Sequence, residues 1–344
     1  MLNGAIIGFG KISQNSHIPA FSDIETKGKA KIIAVVEPDT NNRFYSSEKF
    51  PNLKFYSSVN ELLNNEQLDF IDITTPPPFH SKIIEKAIRN KVNIICEKPF
   101  TFNLLEAEKI SKLLKNSNIV FMPCHQYKYA PLWLNFKDFI NQSSEESKFI
   151  LQCSVYRTEA DFGLPVFNNP WRINKEMSGG GILTDTGIHY LYLANWLIGS
   201  VKKITAKIFN LKHNYNVEDT AYLLLECETG IAEITLTWAA GIRTNAARLT
   251  SSCGSIVYNG ENEIKKYLNN DEETISIPDV SDKTTYNSLY SSLFKEFIEN
   301  IEGNKDSLKY IQEAFGSIYL LEKCYESANE QKTIFLSDTN RYTK

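Results

Sequence analysis

Along the first third of the chain, short runs of consecutive apolar residues alternate with amphipathic stretches. Gly4-Ala5-Ile6-Ile7-Gly8 carries no charge and ends on glycine, the pattern of a strand buried on both faces. Lys31–Val36, Phe70–Thr74, Val92–Cys96 and Ile119–Phe121 repeat it. Between them, spacing near the helical period predicts helices over roughly Thr40–Lys49, Phe79–Asn90 and Asn103–Leu114. The last of these opens on Asn103-x-x-Glu106, a capping-box pattern. Strands and helices in alternation imply βαβ units, a parallel sheet and an α/β fold.

The turn after the first strand then has a physical reading as a dinucleotide site. Gly8 permits a tight turn, and Gly10 lets the main chain approach a pyrophosphate. The next helix begins near Ile12, so Lys11 and Ile12 lie at its positive end, facing the phosphates. Ser13 holds the third position of the fingerprint, where glycine or alanine would pack without strain. Glu37 ends the second strand, where a carboxylate accepts ribose hydroxyls and repels a 2′-phosphate. This argues for NAD over NADP, with Asp39 a rival for the role and Arg43 the residue that would favour a phosphate. Thr74-Thr75-Pro76-Pro77-Pro78-Phe79-His80 breaks the fourth strand into a loop at the carboxyl ends of the strands, where ligands bind in open α/β sheets. His80 reads as a cap or a structural hydrogen bond in that loop.

Glu97-Lys98-Pro99 falls at another strand end. Pro99 restricts Lys98 to extended geometry and allows a cis bond, so the amine is aimed across the sheet edge. A lysine in a cleft holds a substrate oxygen or, with its pKa lowered by burial, moves a proton. Downstream, Gly179-Gly180-Gly181 precedes a helical pattern in which Asp185 and His189 are one turn apart. An imidazole beside a carboxylate is suited to acid–base work at a carbinol, and the glycines are expected to let a ligand approach the helix start. Two such ligand atoms without a third do not make a metal site, and none is expected. His17 is expected to pack against the first turn.

At 344 residues the chain calls for two domains, divided here as residues 1–123 and 124–344. The net charge of −4 comes from scattered residues, so no nucleic-acid footprint is present. No apolar run reaches membrane-spanning length, and Met1-Leu2-Asn3-Gly4 has no basic region ahead of an apolar core, so neither membrane nor secretory signal is expected. The six cysteines are widely spaced and mostly in apolar runs, which suits buried reduced thiols in a cytoplasmic protein.

With these residues in place the chain resembles the Gfo/Idh/MocA oxidoreductases, the family of glucose–fructose oxidoreductase and inositol dehydrogenase. The resemblance rests on Gly8-x-Gly10, the Pro76–His80 loop, Glu97-Lys98-Pro99, Gln126-Tyr127-Lys128-Tyr129-Ala130-Pro131 and Trp171-Arg172. It continues through the Gly179–His189 run, Val217-Glu218-Asp219-Thr220-Ala221, Trp238 and the helical pattern at Tyr310–Ala328. It implies an N-terminal Rossmann domain and a C-terminal α/β domain with a large, mostly antiparallel open sheet. Strands of that sheet are read at Phe149–Tyr156, Ile204–Phe209, Tyr222–Cys227 and Ile231–Trp238.

The resemblance also implies NAD(P) binding and catalysis by Lys98, Asp185 and His189. Cofactor contacts are assigned to Gly8, Gly10, Lys11, Ile12, Glu37, Thr75, Pro76, His80, Glu97, Lys98 and Gln126. Substrate contacts are assigned to Lys98, Lys128, Trp171, Arg172, Asp185 and His189. Three positions depart from the family pattern: Ser13, Lys128 where an arginine is common, and Tyr192 where an aspartate is frequent. The segment Tyr156–Met177 is expected to border the substrate, with Phe162, Phe167 and Trp171 as sugar-facing aromatics. Arg157, Arg172, Lys175, Arg243 and Arg248 are either anion contacts or salt-bridge partners. The function expected is hydride transfer between NAD and a carbinol carbon of a sugar, polyol or sugar derivative, nucleotide sugars included, in a homodimer or homotetramer. The alternatives are a sugar- or dinucleotide-sensing regulator and a glycosidase or epimerase-like enzyme that recycles its NAD.

Overall fold

The computed structural model describes residues 1–23, 28–163, 170–268, 271–278, 286–303 and 307–336. By packing, the chain divides into two units. One comprises Met1–Gln126, Phe162–Trp171 and Tyr286–Phe315, and the other Tyr127–Asp161, Arg172–Thr285 and Gly316–Lys344. The single boundary expected at residue 123 therefore moves by three residues, and the first unit takes back two later segments.

The first unit is built on β1 (Leu2–Ile7), β2 (Ala30–Val36), β3 (Lys54–Tyr56), β4 (Phe70–Ile73), β5 (Asn93–Cys96) and β6 (Phe121–Pro123). They form an all-parallel sheet in the order β3-β2-β1-β4-β5-β6, the doubly wound order of dinucleotide-binding folds. Ala5, Ile6, Ile7, Val35, Ile71, Ile94 and Ile95 are almost wholly buried, as strands covered on both faces require. Gly4 is glycine because any Cβ there would collide with the ring of Phe70.

The connections are helical. A helix runs from Lys11 to Phe21, with a π-type turn at Ser13–His17 leading into α1 (Ile18–Phe21). Then come α2 (Thr40–Lys49), α3 (Val59–Asn65), α4 (His80–Arg89) and α5 (Leu104–Lys115). The Asn103 side chain accepts the Glu106 N–H, as the sequence predicts. β3 and α3 were not expected, because a three-residue strand carries too little apolar pattern to register.

The later segment that joins this unit is α9 (Tyr286–Glu302). Its Leu289, Tyr290, Leu293, Phe294, Phe297 and Ile298 form a buried stripe at helical spacing. Phe294 stacks on Phe21 at 4.2 Å between ring centroids, and Phe297 meets Phe70 edge-on.

The second unit carries nine strands: β7 (Phe149–Tyr156), β8 (Val201–Phe209), β9 (Thr220–Cys227), β10 (Gly230–Thr237), β11 (Thr244–Ser251), β12 (Gly254–Tyr258), β13 (Glu263–Leu268), β14 (Asp271–Ser276) and β15 (Ile334–Phe335). Their order is β14-β13-β12-β11-β7-β10-β9-β8-β15, antiparallel throughout except for the β7–β10 pair. Strand β7 alternates throughout, and β9 and β10 alternate in their central residues. Leu151, Leu223 and Ile234 are buried, while Ile150, Tyr222 and Ile231 are exposed on the other face. Helices α6 (Pro131–Asn141), α7 (Lys175–Ser178) and α8 (Ile188–Ile198) belong to this unit, with the later turns of α10 (Leu308–Glu330). Strands β11, β13 and β14 escaped the sequence reading because they carry charged and small residues instead of apolar runs, and β12 because its apolar run is only Ile256-Val257-Tyr258. No described helix is long and apolar enough to cross a membrane.

If α9 is part of the first core, Phe294→Ala should cost about 3–5 kcal/mol, the scale of a phenylalanine cavity in a packed interior. Urea unfolding followed by circular dichroism measures it; a loss below about 1 kcal/mol would remove α9 from that core.

Candidate functional site

In the first unit, four separate stretches converge at the carboxyl ends of β1, β2, β4 and β5. The turn after β1 holds Gly8 at φ +91°, where an added Cβ would meet the Thr75 N atom at 3.0 Å. Gly10 differs, because its φ is not positive and a Cβ there would meet nothing within 4 Å. No contact in the described protein requires glycine at that position. Lys11 and Ile12 follow at the helix start.

Ser13 is accommodated without strain. It is buried, and its hydroxyl donates to the Gly8 carbonyl at 2.9 Å and lies 2.8 Å from Thr74 Oγ1. The departure from glycine or alanine thus replaces tight packing with a hydrogen-bonded link.

Glu37 is 7% exposed and anchors the same turn. Its Oε2 accepts the Phe9 N–H at 3.1 Å and Asn42 Nδ2 at 2.6 Å, and its Oε1 accepts the Asp39 N–H at 2.9 Å. Burial pushes its pKa up, and these donors oppose the rise. Asp39, the rival, caps α2 by accepting the Asn42 N–H. Arg43 donates to the Glu37 carbonyl at 2.7 Å.

His80 is fully buried, with Nε2 2.6 Å from the Thr75 carbonyl and Nδ1 2.9 Å from the Pro99 carbonyl. It therefore ties the Thr75-Pro76 loop to the Glu97-Lys98-Pro99 loop. The buried Thr75 Oγ1 and Gln126 Oε1 meet no hydrogen-bond partner among the described residues. Two orphaned polar atoms in residues assigned to a cofactor fit such a group.

Lys98 is part-buried and joined to Pro99 by a cis peptide bond. Its N–H donates to Glu97 Oε2 at 3.0 Å. Glu97 Oε1 accepts the Tyr290 hydroxyl at 2.6 Å and lies 3.1 Å from His17 Nε2. His17 Nδ1 is 2.6 Å from Asp72 Oδ2. His17, expected only to pack on the first turn, is thus the centre of a buried ionisable cluster. Burial alone would lower its pKa, but the charges and hydrogen bonds of Asp72 and Glu97 outweigh it and lift the value to about 9. Ligand-type atoms of His17, Glu97 and Cys124 lie within 4.8 Å of one another, yet both imidazole nitrogens are already matched to carboxylates. A charged residue inside the apolar run Phe70-Ile71-Asp72-Ile73 was the signal available in the sequence.

In the second unit, a π-type turn at Leu183–Gly187 leads into α8 and carries Asp185, with His189 in the first turn of α8. Such turns recur at functional sites. Asp185 Oδ1 accepts Arg172 Nε at 3.1 Å, and Arg172 also donates to the Asp161 carbonyl. His189 is buried, stacks on Tyr127 at 4.2 Å, and has Nδ1 2.9 Å from the Tyr192 hydroxyl. Tyr192 also accepts the Tyr127 N–H at 3.3 Å. Lys128 lies with its amine over the Trp196 ring, and Trp171 is half-buried. Arg157 spends its guanidinium on the Tyr156 and Thr244 carbonyls, while Lys175, Arg243 and Arg248 are exposed. Phe162 is exposed, and Phe167 lies outside the described residues.

The glycine triplet, expected to let a ligand approach the helix start, is required by the protein's own packing. Gly179 closes α7 at φ +79°. A Cβ on Gly180 would collide with the Tyr325 hydroxyl, and one on Gly181 with the Glu218 carbonyl. Glu218 Oε1 accepts the Leu183 N–H at 3.1 Å and the Tyr325 hydroxyl at 2.8 Å, and Tyr325 also meets Thr184 Oγ1. Next to it, Asp219 accepts the N–H groups of Leu211, Lys212 and His213. Glu218 and Tyr325 were not singled out as site-shaping residues from the sequence.

Comparison with known proteins gives the family of both units. Residues 2–125 match the family described as "Oxidoreductase family, NAD-binding Rossmann fold", and residues 152–257 match the "GFO/IDH/MocA C-terminal domain". A D-apiose dehydrogenase of Paraburkholderia graminis is 28% identical over 67% of this chain, and the match spans 59% of that protein. The scyllo-inositol 2-dehydrogenase (NADP(+)) IolW of Bacillus subtilis is 21% identical over 96% of this chain and 95% of its own. An oxidoreductase from Agrobacterium radiobacter, solved in complex with NAD+, L-tartaric acid and magnesium, shares the fold with a TM-score of 0.86 at 22% identity, covering 97% of this chain and 98% of that one.

Two outcomes follow from the site geometry. Gly181→Ala should destabilise the protein by at least about 2 kcal/mol, since its Cβ meets main chain that cannot rotate away, while Gly10→Ala should stay within about 0.5 kcal/mol. Thermal unfolding of both variants decides this, and equal losses would refute the contrast.

The second concerns pH. The folded-state pKa of His17 lies above its unfolded value, so its stabilisation is complete below pH 6.5 and is lost as pH rises through about 9. His80, whose pKa burial lowers, acts below that window. Tm should therefore fall between pH 6.5 and about 9 in the native chain and fall less in His17→Gln. Identical slopes would show that His17 does not titrate there.

Proposed function

Since this chain belongs to the Gfo/Idh/MocA oxidoreductase family, we propose that it is an NAD-dependent dehydrogenase acting on a carbinol carbon of a sugar, polyol or sugar derivative. The observation that carries this reading is Gly10, with no atom within 4 Å of where a Cβ would stand, set between a parallel strand and a helix start. The orphaned Thr75 Oγ1 and Gln126 Oε1 support it. NAD, when bound, supplies the hydride acceptor.

The other tasks fall to the chain. The Gly8–Gly10 turn, with Lys11 and Ile12, holds the pyrophosphate. Glu37 holds the ribose and, as a buried carboxylate, disfavours a 2′-phosphate beside it. Thr75, Pro76, His80, Glu97 and Gln126 shape the nicotinamide side. Lys98 holds the reacting oxygen. His189, with Nδ1 engaged by Tyr192, takes the hydroxyl proton at Nε2. Asp185, held by Arg172, orients a substrate hydroxyl, with Trp171 and Lys128 as further substrate contacts.

Apolar Ile150, Tyr222 and Ile231 on the open face of the second sheet support a homodimer or homotetramer through that face. Four fully buried thiols, Cys96, Cys124, Cys153 and Cys324, suit a reducing, cytoplasmic setting.

The test is reduction of NAD during incubation with a panel of sugars and polyols. Accumulating NADH is expected with at least one of them, with NAD bound more tightly than NADP. Lys98→Ala should cut turnover at least about a hundredfold, the scale of a lost polar catalytic group. No accumulation with any member would favour a sensor or a cofactor-recycling enzyme, and tighter NADP binding would move the ribose site to Arg43.

A further inference from the structure

We propose that Asp72, His17 and Tyr290 act as positioning residues for Lys98, through the Glu97 carboxylate whose second oxygen holds the Lys98 N–H. This deepens the preceding reading and rests on it for the importance of Lys98.

Asp72, His17 and Tyr290 take no part in the chemistry assigned above, yet with Glu97 they are among the most deeply buried ionisable side chains of the first unit. His17 and Asp72 have no exposed surface, and Glu97 has 8%. They come from four elements: the π-type turn at Ser13–His17, strand β4, the end of β5, and α9. Contacts run in one line. Asp72 Oδ2 meets His17 Nδ1 at 2.6 Å, His17 Nε2 meets Glu97 Oε1 at 3.1 Å, and Glu97 Oε2 meets the Lys98 N–H at 3.0 Å. The Tyr290 hydroxyl donates to Glu97 Oε1 at 2.6 Å, and its ring packs 4.3 Å from the imidazole.

Burying three such groups is expensive, and apolar residues of similar volume would stabilise a core at least as well. What apolar residues would not do is fix the plane of a carboxylate. Held by the imidazole, the phenol and the amide, Glu97 has little freedom left, so the residue that follows it starts from a fixed point. The arrangement meets the precision that a reacting side chain needs from its surroundings.

The charges fit the same role. His17 faces Asp72 from β4, Glu97 from β5 and Tyr290 from α9, with the Cys96 and Cys124 thiols close to the same acids. Burial raises both thiols well above their ordinary range, so they stay neutral. Lys98 contributes to holding Glu97 in its charged form, below the ordinary carboxylate value that burial would otherwise raise, alongside the larger effect of His17. Loss of the His17 proton removes the positive charge between two carboxylates, and the line should loosen at its Lys98 end.

The experiment uses the full chain with Asp72→Asn, His17→Gln and Tyr290→Phe. Hydrogen exchange at the Lys98 amide is measured without cofactor, and kcat and KM with it. Tyr290→Phe removes one hydroxyl and keeps the packing, so it stays folded if the others do not. Exchange at Lys98 should rise about tenfold, the worth of a lost hydrogen bond to a charged group, while amides of β1 and β2 keep their protection. The kcat should fall with KM changed less than about twofold, the split expected when an interaction made in the transition state is lost. After correction for intrinsic exchange, Lys98 protection in the native chain should fall as pH rises through about 9, and this step should vanish in His17→Gln.

Unchanged Lys98 exchange in a folded variant overturns the proposal, and so does a loss of protection spread evenly over the sheet. If Lys98→Ala keeps normal turnover, the catalytic reading fails, while the exchange data still decide the positioning claim.

Discussion

A buried carboxylate must be surrounded by donors, and in this protein the donors are the main-chain N–H groups of the turns that carry the candidate chemistry. Glu37 takes the Phe9 and Asp39 amides, Glu97 takes the Lys98 amide, and Glu218 takes the Leu183 amide. Each acid is less than a tenth exposed, so its hydrogen bonds face little competition from water. Leaving any of them short of donors would cost a buried charge, which makes the turn and its anchor a single unit. The same logic places Asp219 under Leu211, Lys212 and His213. Loops are ordinarily the pliable parts of an α/β fold; here the important ones are pinned from beneath.

Glycines divide along the same line. Gly8 and Gly179 are glycine because the backbone turns through positive φ, and Gly180 and Gly181 because Tyr325 and Glu218 come too close for a side chain. At Gly8, Gly180 and Gly181 the neighbour that a Cβ would meet is the protein. Gly10 has no such neighbour. Glycine motifs that look alike in sequence therefore mean different things, and only contact geometry separates a position kept small for the fold from one kept small for a ligand.

The first sheet was legible because parallel strands covered on both faces are written as unbroken apolar runs, and its helices because capping and periodicity are local signals. Strand β7 matched the expected Phe149–Tyr156 for the same reason. Strands β11 to β14 were not legible, since Asn245 and Ala247 face inward where larger apolar residues would have announced a strand. Of the site, Gly8, Gly10, Glu37, Lys98, Asp185 and His189 stood out because each sits at a strand end or helix start with a known physical use. The cluster around His17 did not. Its partners lie 55 and 80 residues away along the chain, and Tyr290 lies on a helix assigned to the other domain. Pairings of that range are set by tertiary packing, which leaves no period in the sequence.

Charge balance in the second unit bears on the departures from the family pattern. Asp185 and Arg172 are each 21% exposed and compensate one another, so the helix start that presents Asp185 carries little net charge. Tyr192 occupies the place where the family resemblance expects an aspartate, and its hydroxyl reaches His189 Nδ1 without adding a negative charge. A carboxylate there would add a charge beside the imidazole, whereas the phenol orients the ring without one. Tyr127, stacked on the other side of the ring and bonded through its N–H to the same hydroxyl, removes the remaining freedom. Lys128, like Lys137, has its amine over the Trp196 ring, an aromatic face that favours its charge. Both departures thus bring an aromatic group to the residue concerned, the Tyr192 phenol to His189 and the Trp196 ring to Lys128.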